Sequence, residues 1–347
     1  MSYAAITGWG TALPERVVSN AELASTIGVD DDWIVRRTGI RERRVVSPSE
    51  RTSSLAVRAG RRALDRAGLS AADLDLVLVA TTTPDRMIPG TAPIVQAELG
   101  ASRAGAFDVN AACAGFIVGL MTASGLITSG AMSTCLVVGS EVLSRFVRLS
   151  DRNTSILFGD GAGAAVLQRS EEPGGLLATD LRSDGTGASL VEMPAGGSER
   201  PASADTIRGD EHFIFMNGRE VFRAAVRTMS ASSAETLRTA GLRSEDVDLF
   251  ICHQANLRIV TECSGRLGIP EDRVFSNVDR YGNTSAASIA IALSEAADAG
   301  RLGPGSTVLL TAIGAGLVWG SCVIRWTAPV VRTDAESDHD ALVGARP

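Results

Sequence analysis

The stretch "RAGLSAADLDLVLVA" (66–80) aligns without a gap on "TAGLRSEDVDLFICH" (239–253), at a constant offset of 173 residues. Each copy ends a helix at Ala-Gly-Leu, turns through an acidic loop and enters an apolar run. The glycine suits the left-handed cap that closes many helices. Two copies of one α/β unit in a 347-residue chain imply a pseudo-symmetric protein with its site where the halves meet. Around the copies, "LDLVLVATT" (74–82), "CLVVGS" (135–140), "DLFICHQ" (248–254) and "STVLLTAIG" (306–314) are β-rich runs without polar alternation, as expected of strands buried on both faces. Helical stretches such as "SSLAVRAGRRALDRAGL" (53–69) and "SAASIAIALSEAADAG" (285–300) lie between them. Alternation of this kind implies an α/β fold with largely parallel sheets.

The longest uncharged run, Val109 to Ser140, exceeds the length that spans a bilayer. It contains Asn110 and many Gly, Ser and Thr, and it breaks at "TSGAMSTC" into a second apolar stretch. A buried helix followed by a buried strand explains it better than a membrane span. With 45% hydrophobic and 21% charged residues, the chain reads as soluble and globular. A formal net charge of −7 argues against general nucleic-acid binding, which usually shows a basic domain. The five cysteines are scattered, without CxxC pairs or zinc spacing. They read as reduced thiols, so a cytoplasmic location is expected. "MSYAAITGWG" at the N-terminus has neither the basic region nor the apolar stretch of a signal peptide.

The halves are expected at 1–170 and 171–328, with a Gly-, Ser- and Pro-rich insertion at about 181–210 that reads as surface loops. Residues 329–347 form a polar tail without a periodic apolar face, expected to fray.

Cys113 lies in "DVNAACAGF" (108–116), between a strand end and a helix apolar all round. At a helix N-terminus, free N–H groups and the macrodipole favour a thiolate. On this evidence alone Cys113 is either a packing residue or a nucleophile. Of three histidines, His339 lies in the tail and His212 in the charged "GDEHF", whereas His253 ends a buried strand. In parallel-sheet proteins sites form at such strand ends. Asn283, in "RYGNTSAAS" (280–288), stands before a helix start and reads equally as a cap. "AIGAGLVWGS" (312–321) follows a buried strand with glycines spaced to aim backbone N–H groups at an anion.

Together, "DVNAACAGF", "FGDGAGAAV" (158–166), "HQANLRI", "GNTSAAS" and "GAGLVWGS" resemble the β-ketoacyl-acyl-carrier-protein synthase III family of the thiolase superfamily, in the family's order and from the first strand to about Trp326. The resemblance implies a thiolase-like fold: two pseudo-symmetric α/β halves with central mixed sheets and buried helices. It implies that Cys113 accepts the acyl group, while His253 and Asn283 bind the malonyl thioester carbonyl. The backbone N–H groups of Cys113 and Ala315 would form the acyl oxyanion hole. Trp33, Arg37, Arg152 and Gly218 would hold coenzyme A. Met87 and Ile88, in "TPDRMIPG" (83–90), occupy the loop that in relatives crosses a homodimer interface to close the partner's acyl pocket. Some relatives carry an aromatic there, so a pocket admitting branched or longer starters is expected. The partners implied are acyl-coenzyme A, a substrate, and malonyl-acyl-carrier protein; no metal or other cofactor is implied. Two departures stand out: Asn153 where some members have Gly, and Gly-Ala-Gly in place of three glycines.

The acidic carrier needs a local basic face on an acidic enzyme. In "MNGREVFRAAVR" (216–227), Asn217 and Glu220 have capping-box spacing, and Arg219, Arg223 and Arg227 recur every four residues. Arg258 and Arg266 lie eight apart in a second helical stretch. In relatives both segments flank the tunnel mouth, which makes Arg219, Arg223, Arg258 and Arg266 the candidate docking residues. A Cys-His-His condensing enzyme would need a second histidine in an ordered motif, and a thiolase a second catalytic cysteine near the glycine turn, where Cys322 sits within an apparent strand. A starter-unit ketosynthase or acyltransferase of secondary metabolism remains the alternative.

Overall fold

The computed structural model describes residues 2–330. The tail from residue 331 onward, His339 included, lies outside the described residues. We number the strands of the two principal sheets β1 (Tyr3–Ala12), β2 (Leu76–Ala80), β3 (Gly105–Val109), β4 (Thr134–Glu141), β5 (Gly161–Ser170), β6 (Gly175–Ser183), β7 (Leu249–Cys252), β8 (Thr307–Gly314) and β9 (Val318–Arg325). The helices that frame the site are α1 (Asp31–Thr38), α2 (Thr52–Ala67), α3 (Thr91–Leu99), α4 (Gly115–Thr128), α5 (Gly218–Thr239), α6 (Leu257–Leu267) and α7 (Ala287–Asp298).

One sheet has the order β1-β5-β4-β2-β3 and the other β6-β9-β8-β7. The first is built from residues before 171, the second from residues after 174. The sheets are mixed rather than largely parallel. β2 runs parallel to β3 and β4, and β7 to β8. The remaining pairings, β4–β5, β5–β1, β8–β9 and β9–β6, are antiparallel. The reason is the return connection: β8 turns straight back into β9 through Ala315–Leu317, and a turn that short can join only antiparallel strands.

The repeat seen in the sequence is a repeat of structure. Gly68 and Gly241 both take left-handed backbone, φ 67° and 69°. Asp73 accepts from the Ser70 N–H at 2.8 Å, and Asp246 accepts from the Arg243 N–H at 2.8 Å. Leu76 pairs with Cys135 as Leu249 pairs with Val308, at the same offset of 173.

α4 and α7 pack between the sheets, α2 and α3 cover the outer face of the first, and α5 and α6 cover the second. The central core joins Leu78 and Val137 of one sheet, Phe116, Ile117 and Leu120 of α4, Leu293 of α7, and Ile251 and Leu310 of the other sheet. α4 is apolar all round because protein surrounds it. α7, from the second half, comes down on the first sheet where that sheet has no side chains: a Cβ on Gly139 would stand 2.2 Å from the Ala286 carbonyl oxygen, and one on Gly163 2.6 Å from Ala290. Among the described residues no helix is long and apolar enough to cross a membrane.

The 181–210 insertion is more ordered than its composition suggests. It begins in β6, continues as a 3-10 segment (Gly185–Leu190), and its Val191–Glu192 pairs with Phe215–Met216 in a two-stranded ribbon before a short helix, Ala204–Arg208. Ser203 caps that helix by accepting from the Thr206 N–H at 3.2 Å. Polar and glycine-rich composition marked the turns but hid the elements between them.

Candidate active site

β3 ends at Val109, and Asn110–Ala112 turns the chain into a 3-10 turn, Ala112–Ala114, that carries Cys113 to the head of α4. Ala112 has φ 46°, a left-handed conformation unfavourable for a residue with a Cβ and found where a tight turn must aim a side chain. The Cys113 thiol donates to the Ser285 hydroxyl at 3.4 Å. Its partial exposure is onto a deep cavity. Burial, with a contribution from the nearby Glu141 carboxylate, pushes the thiol up to about 12. The expected resting thiolate is therefore not what the site favours, because desolvation outweighs the helix terminus. The free protein holds a neutral thiol.

His253 follows β7, and its N–H donates to the Thr311 carbonyl at 2.8 Å. Its Nδ1 lies 2.6 Å from the Ser288 hydroxyl on α7. With Ser288 as donor, the ring carries its proton on Nε2. Burial lowers its pKa to about 3, so it is a neutral imidazole throughout the physiological range. Asn283 is also buried, and its Oδ1 accepts from the Ser285 N–H at 2.8 Å. That bond fixes the carboxamide and leaves its NH2 to donate elsewhere. Asn283 thus serves the helix entrance and faces the cavity as well.

The Gly314-Ala315-Gly316 turn lies against the nucleophile turn. A Cβ on Gly314 would stand 2.7 Å from the Cys113 nitrogen, and Gly316 takes φ 76°. Cys113, His253, Asn283 and Ala315 all line one cavity of about 820 Å³, within the range that takes a small-molecule ligand. Trp33, Arg37, Arg152 and Gly218 line the same cavity. Asp30 caps α1 by accepting from the Trp33 N–H at 2.5 Å, and the Arg37 guanidinium stacks on the Trp33 ring 4.3 Å from its centroid.

Arg219, Arg223 and Arg258 also line the cavity; Arg266, two turns further along α6, does not. Asn217 does cap α5, accepting from the Glu220 N–H at 3.4 Å. The capping box does not close, however, because the Glu220 carboxylate pairs with Arg223 at 3.3 Å. Arg258 lies over Phe222, 5.2 Å from the ring centroid. Met87 and Ile88 are outside their own chain's cavity lining, 78% and 88% exposed. His212 pairs with Thr206 at 2.9 Å, away from the cavity.

Sequence reasoning missed Ser285 and Ser288, whose motif was read only through Asn283, and the ribbon residue Val191 with Met193 just beyond the ribbon, which line the cavity. It also missed Glu141. This carboxylate ends β4 immediately after the uncharged run, the same strand-end position that singled out His253.

Family comparisons agree with this geometry. The model described as 3-oxoacyl-[acyl-carrier-protein (ACP)] synthase III matches residues 107–185, and its C-terminal counterpart matches residues 237–326. A β-ketoacyl-[acyl-carrier-protein] synthase III from Roseiflexus sp. is 53% identical over 94% of this chain and 99% of its own length. The chain belongs to the β-ketoacyl-acyl-carrier-protein synthase III family. It is a condensing acyltransferase with the thiolase-like fold. The solved 3-oxoacyl-[acyl-carrier-protein] synthase III from Aquifex aeolicus superposes with a TM-score of 0.86 at 43% identity, covering 93% of this chain and 100% of its own. A priming β-ketosynthase of the R1128 polyketide pathway superposes with a TM-score of 0.87 at 38% identity, covering 94% and 97%.

Proposed function

We propose that this family member transfers an acyl group from acyl-coenzyme A to Cys113, then condenses it with malonyl-acyl-carrier protein to start fatty-acid chains. The observation that carries this reading is the meeting of Cys113, from the half 1–170, with His253 and Asn283, from the half 171–328, in one cavity. In the first half-reaction the Cys113 sulfur attacks the acyl thioester. The developing oxyanion takes the N–H groups of Cys113 and Ala315, preorganised donors that need not reorient. Coenzyme A leaves. In the second, the malonyl carboxylate departs as carbon dioxide and its electron pair moves into an enolate. The oxygen of that enolate is held by Nε2–H of His253 and the NH2 of Asn283. The enolate carbon attacks the acyl-cysteine carbonyl, forming the C–C bond and breaking the C–S bond to Cys113, whose thiolate takes one proton from solvent to restore the neutral thiol.

A neutral His253 suits this role, since it offers a donor without placing a cation beside the departing carboxylate. Trp33, Arg37, Arg152 and Gly218 hold coenzyme A at the mouth. Arg219, Arg223, Arg258 and Arg266 receive the carrier. Met87 and Ile88 close the acyl pocket of the other protomer in a homodimer. The chemistry calls on no metal and no cofactor beyond its substrates, and the setting is the cytoplasm. The likeness to a polyketide priming ketosynthase favours one second reading, the same chemistry used to start a polyketide.

Intact-mass measurement after mixing with acyl-coenzyme A tests the reading. One acyl adduct is expected, absent in Cys113→Ala. His253→Ala and Asn283→Ala should form the adduct yet lose malonyl decarboxylation by about 10²–10³-fold each. An adduct that persists without Cys113, or normal decarboxylation in both variants, removes the assignment.

A further inference from the structure

Two serines at the entrance of α7, three residues apart, each touch a side chain of the site. Ser285 meets the Cys113 thiol, and Ser288 meets Nδ1 of His253 at 2.6 Å. Ser288 and His253 are both buried, each 2% exposed. Further along α7, Ser294 turns its hydroxyl back to the Ala290 carbonyl at 2.8 Å, as buried helical serines often do. Ser288 instead turns away from its own helix. Among the described residues its hydroxyl has no hydrogen-bond partner besides His253. Both sides of this contact are held. The His253 N–H donates to the Thr311 carbonyl, and its carbonyl accepts from the Ala255 N–H at 2.9 Å. α7 is seated on the first sheet, where Gly139 leaves no room for a Cβ beneath Ala286.

We propose that Ser288 is a positioning residue for the condensation: its hydroxyl donates to Nδ1 and so holds His253 as the Nε2–H tautomer, a donor to the cavity that cannot act as a base there. Counting protons decides the direction of the bond. A hydroxyl has one proton to give, and a neutral imidazole has one N–H and one lone pair. If Nδ1 carried the proton it would donate to Ser288, and the Ser288 proton would be left without an acceptor. A buried donor left unmade is costly. If Ser288 donates, its proton is placed and Nδ1 is filled. Nε2–H is then free for the cavity that His253 lines, where water or substrate accepts it.

A carboxylate in the place of Ser288 would do the reverse. It would accept from Nδ1–H and leave Nε2 as a general base, the arrangement of a Ser-His-Asp triad. Burial keeps the His253 ring neutral, so its single proton sits on one nitrogen or the other, and the residue at Nδ1 chooses which. The choice also bears on the nucleophile. With its proton on Nε2, His253 has no lone pair to offer the Cys113 thiol across the cavity, and its task is confined to the enolate oxygen.

This assignment rests on His253 serving the condensation. Nuclear magnetic resonance of protein labelled with nitrogen-15 histidine tests it, since the chain has three histidines and His253→Gln removes one set of signals. The wild type should carry the His253 proton on Nε2 and none on Nδ1. Ser288→Ala should populate the Nδ1–H form. Its kcat for decarboxylation of malonyl-acyl-carrier protein should fall about tenfold, less than in His253→Ala, because the imidazole remains. Acylation of Cys113 by acetyl-coenzyme A, followed by intact mass, should be unchanged in Ser288→Ala, which also shows that the variant is folded. A proton on Nδ1 in the wild type, or an alanine variant that keeps the single Nε2–H signal, overturns the assignment whatever the rates. Unchanged decarboxylation, or equal losses in both half-reactions, also overturns it and leaves Ser288 a packing residue. Normal decarboxylation in His253→Gln would overturn instead the part given to His253.

Discussion

Two effects oppose each other at the Cys113 sulfur. Its rise from the ordinary 9.0 to about 12 corresponds to about 4 kcal/mol against the thiolate. A helix N-terminus returns up to about 2 kcal/mol in a favourable partly buried geometry. Desolvation wins, and the sequence could not have revealed it: "AACAG" states the helix entrance but not the depth of the cavity. His253 carries the mirror-image consequence for stability. Its folded pKa of about 3 lies below the unfolded value, so below about pH 6.5 the unfolded chain takes up a proton that the folded chain refuses. Stability is therefore lost as pH falls through that window, by about 1.4 kcal/mol per pH unit from this residue. Chemical denaturation of the wild type and His253→Gln at about pH 6, 5 and 4 should show the wild type losing that much more per unit. Equal slopes would mean that His253 is protonated in the folded protein. The lone histidine at a strand end was legible because its residue type is rare in this chain. Glu141 also stood at a strand end and escaped notice because carboxylates are common.

Among the elements, α5 and α6 show how a helical period turns into a surface. The spacing of Arg219 and Arg223 predicts one face, and the structure turns both to the cavity wall together with Arg258. Arg223 is not free, since Glu220 pairs with it, but the pair is exposed on both sides and worth little on its own. An acidic carrier can displace it. Charge reversal, Arg223→Glu with Arg258→Glu, should raise KM for malonyl-acyl-carrier protein several-fold and leave Cys113 acylation by acyl-coenzyme A much less affected. Salt should weaken the wild type toward the variant. Unchanged carrier affinity at low salt would move the docking face elsewhere. Arg266 lies roughly 12 Å along α6 from Arg258, so its single reversal should have the smaller effect.

The whole molecule is one α/β unit used twice, and the site exists because the copies differ. The offset of 173 that relates residues 66–80 to 239–253 also relates Asn110 to Asn283 and Ala112 to Ser285. Asn110 Oδ1 accepts from the Ala112 N–H at 3.3 Å as Asn283 Oδ1 accepts from Ser285, and both turns carry a left-handed residue, φ 46° and 47°. At the nucleophile's position the second copy has Ala286; at the position of His253 the first has Ala80. Only fifteen residues of the repeat were legible, because the rest keeps its backbone while its side chains have diverged. In the proposed homodimer the end of each acyl pocket comes from the partner. Met87 and Ile88, 78% and 88% exposed, are large apolar side chains outside their own chain's cavity lining, as expected of a loop that serves a partner. Ile88→Phe should shift preference toward short straight acyl-coenzyme A starters in the homodimer. The decisive form is a mixed dimer, purified on two tags, of Cys113→Ala with Ile88→Phe. Its one working sulfur sits in the Ile88→Phe protomer, but its pocket is closed by the isoleucine of the Cys113→Ala protomer. If the loop acts across the interface, relative kcat/KM for acetyl and branched acyl-coenzyme A should return to the wild-type ratio. A ratio that stays with the Ile88→Phe homodimer would place the loop's influence within its own chain, and an unchanged ratio in both dimers would take it out of starter selection.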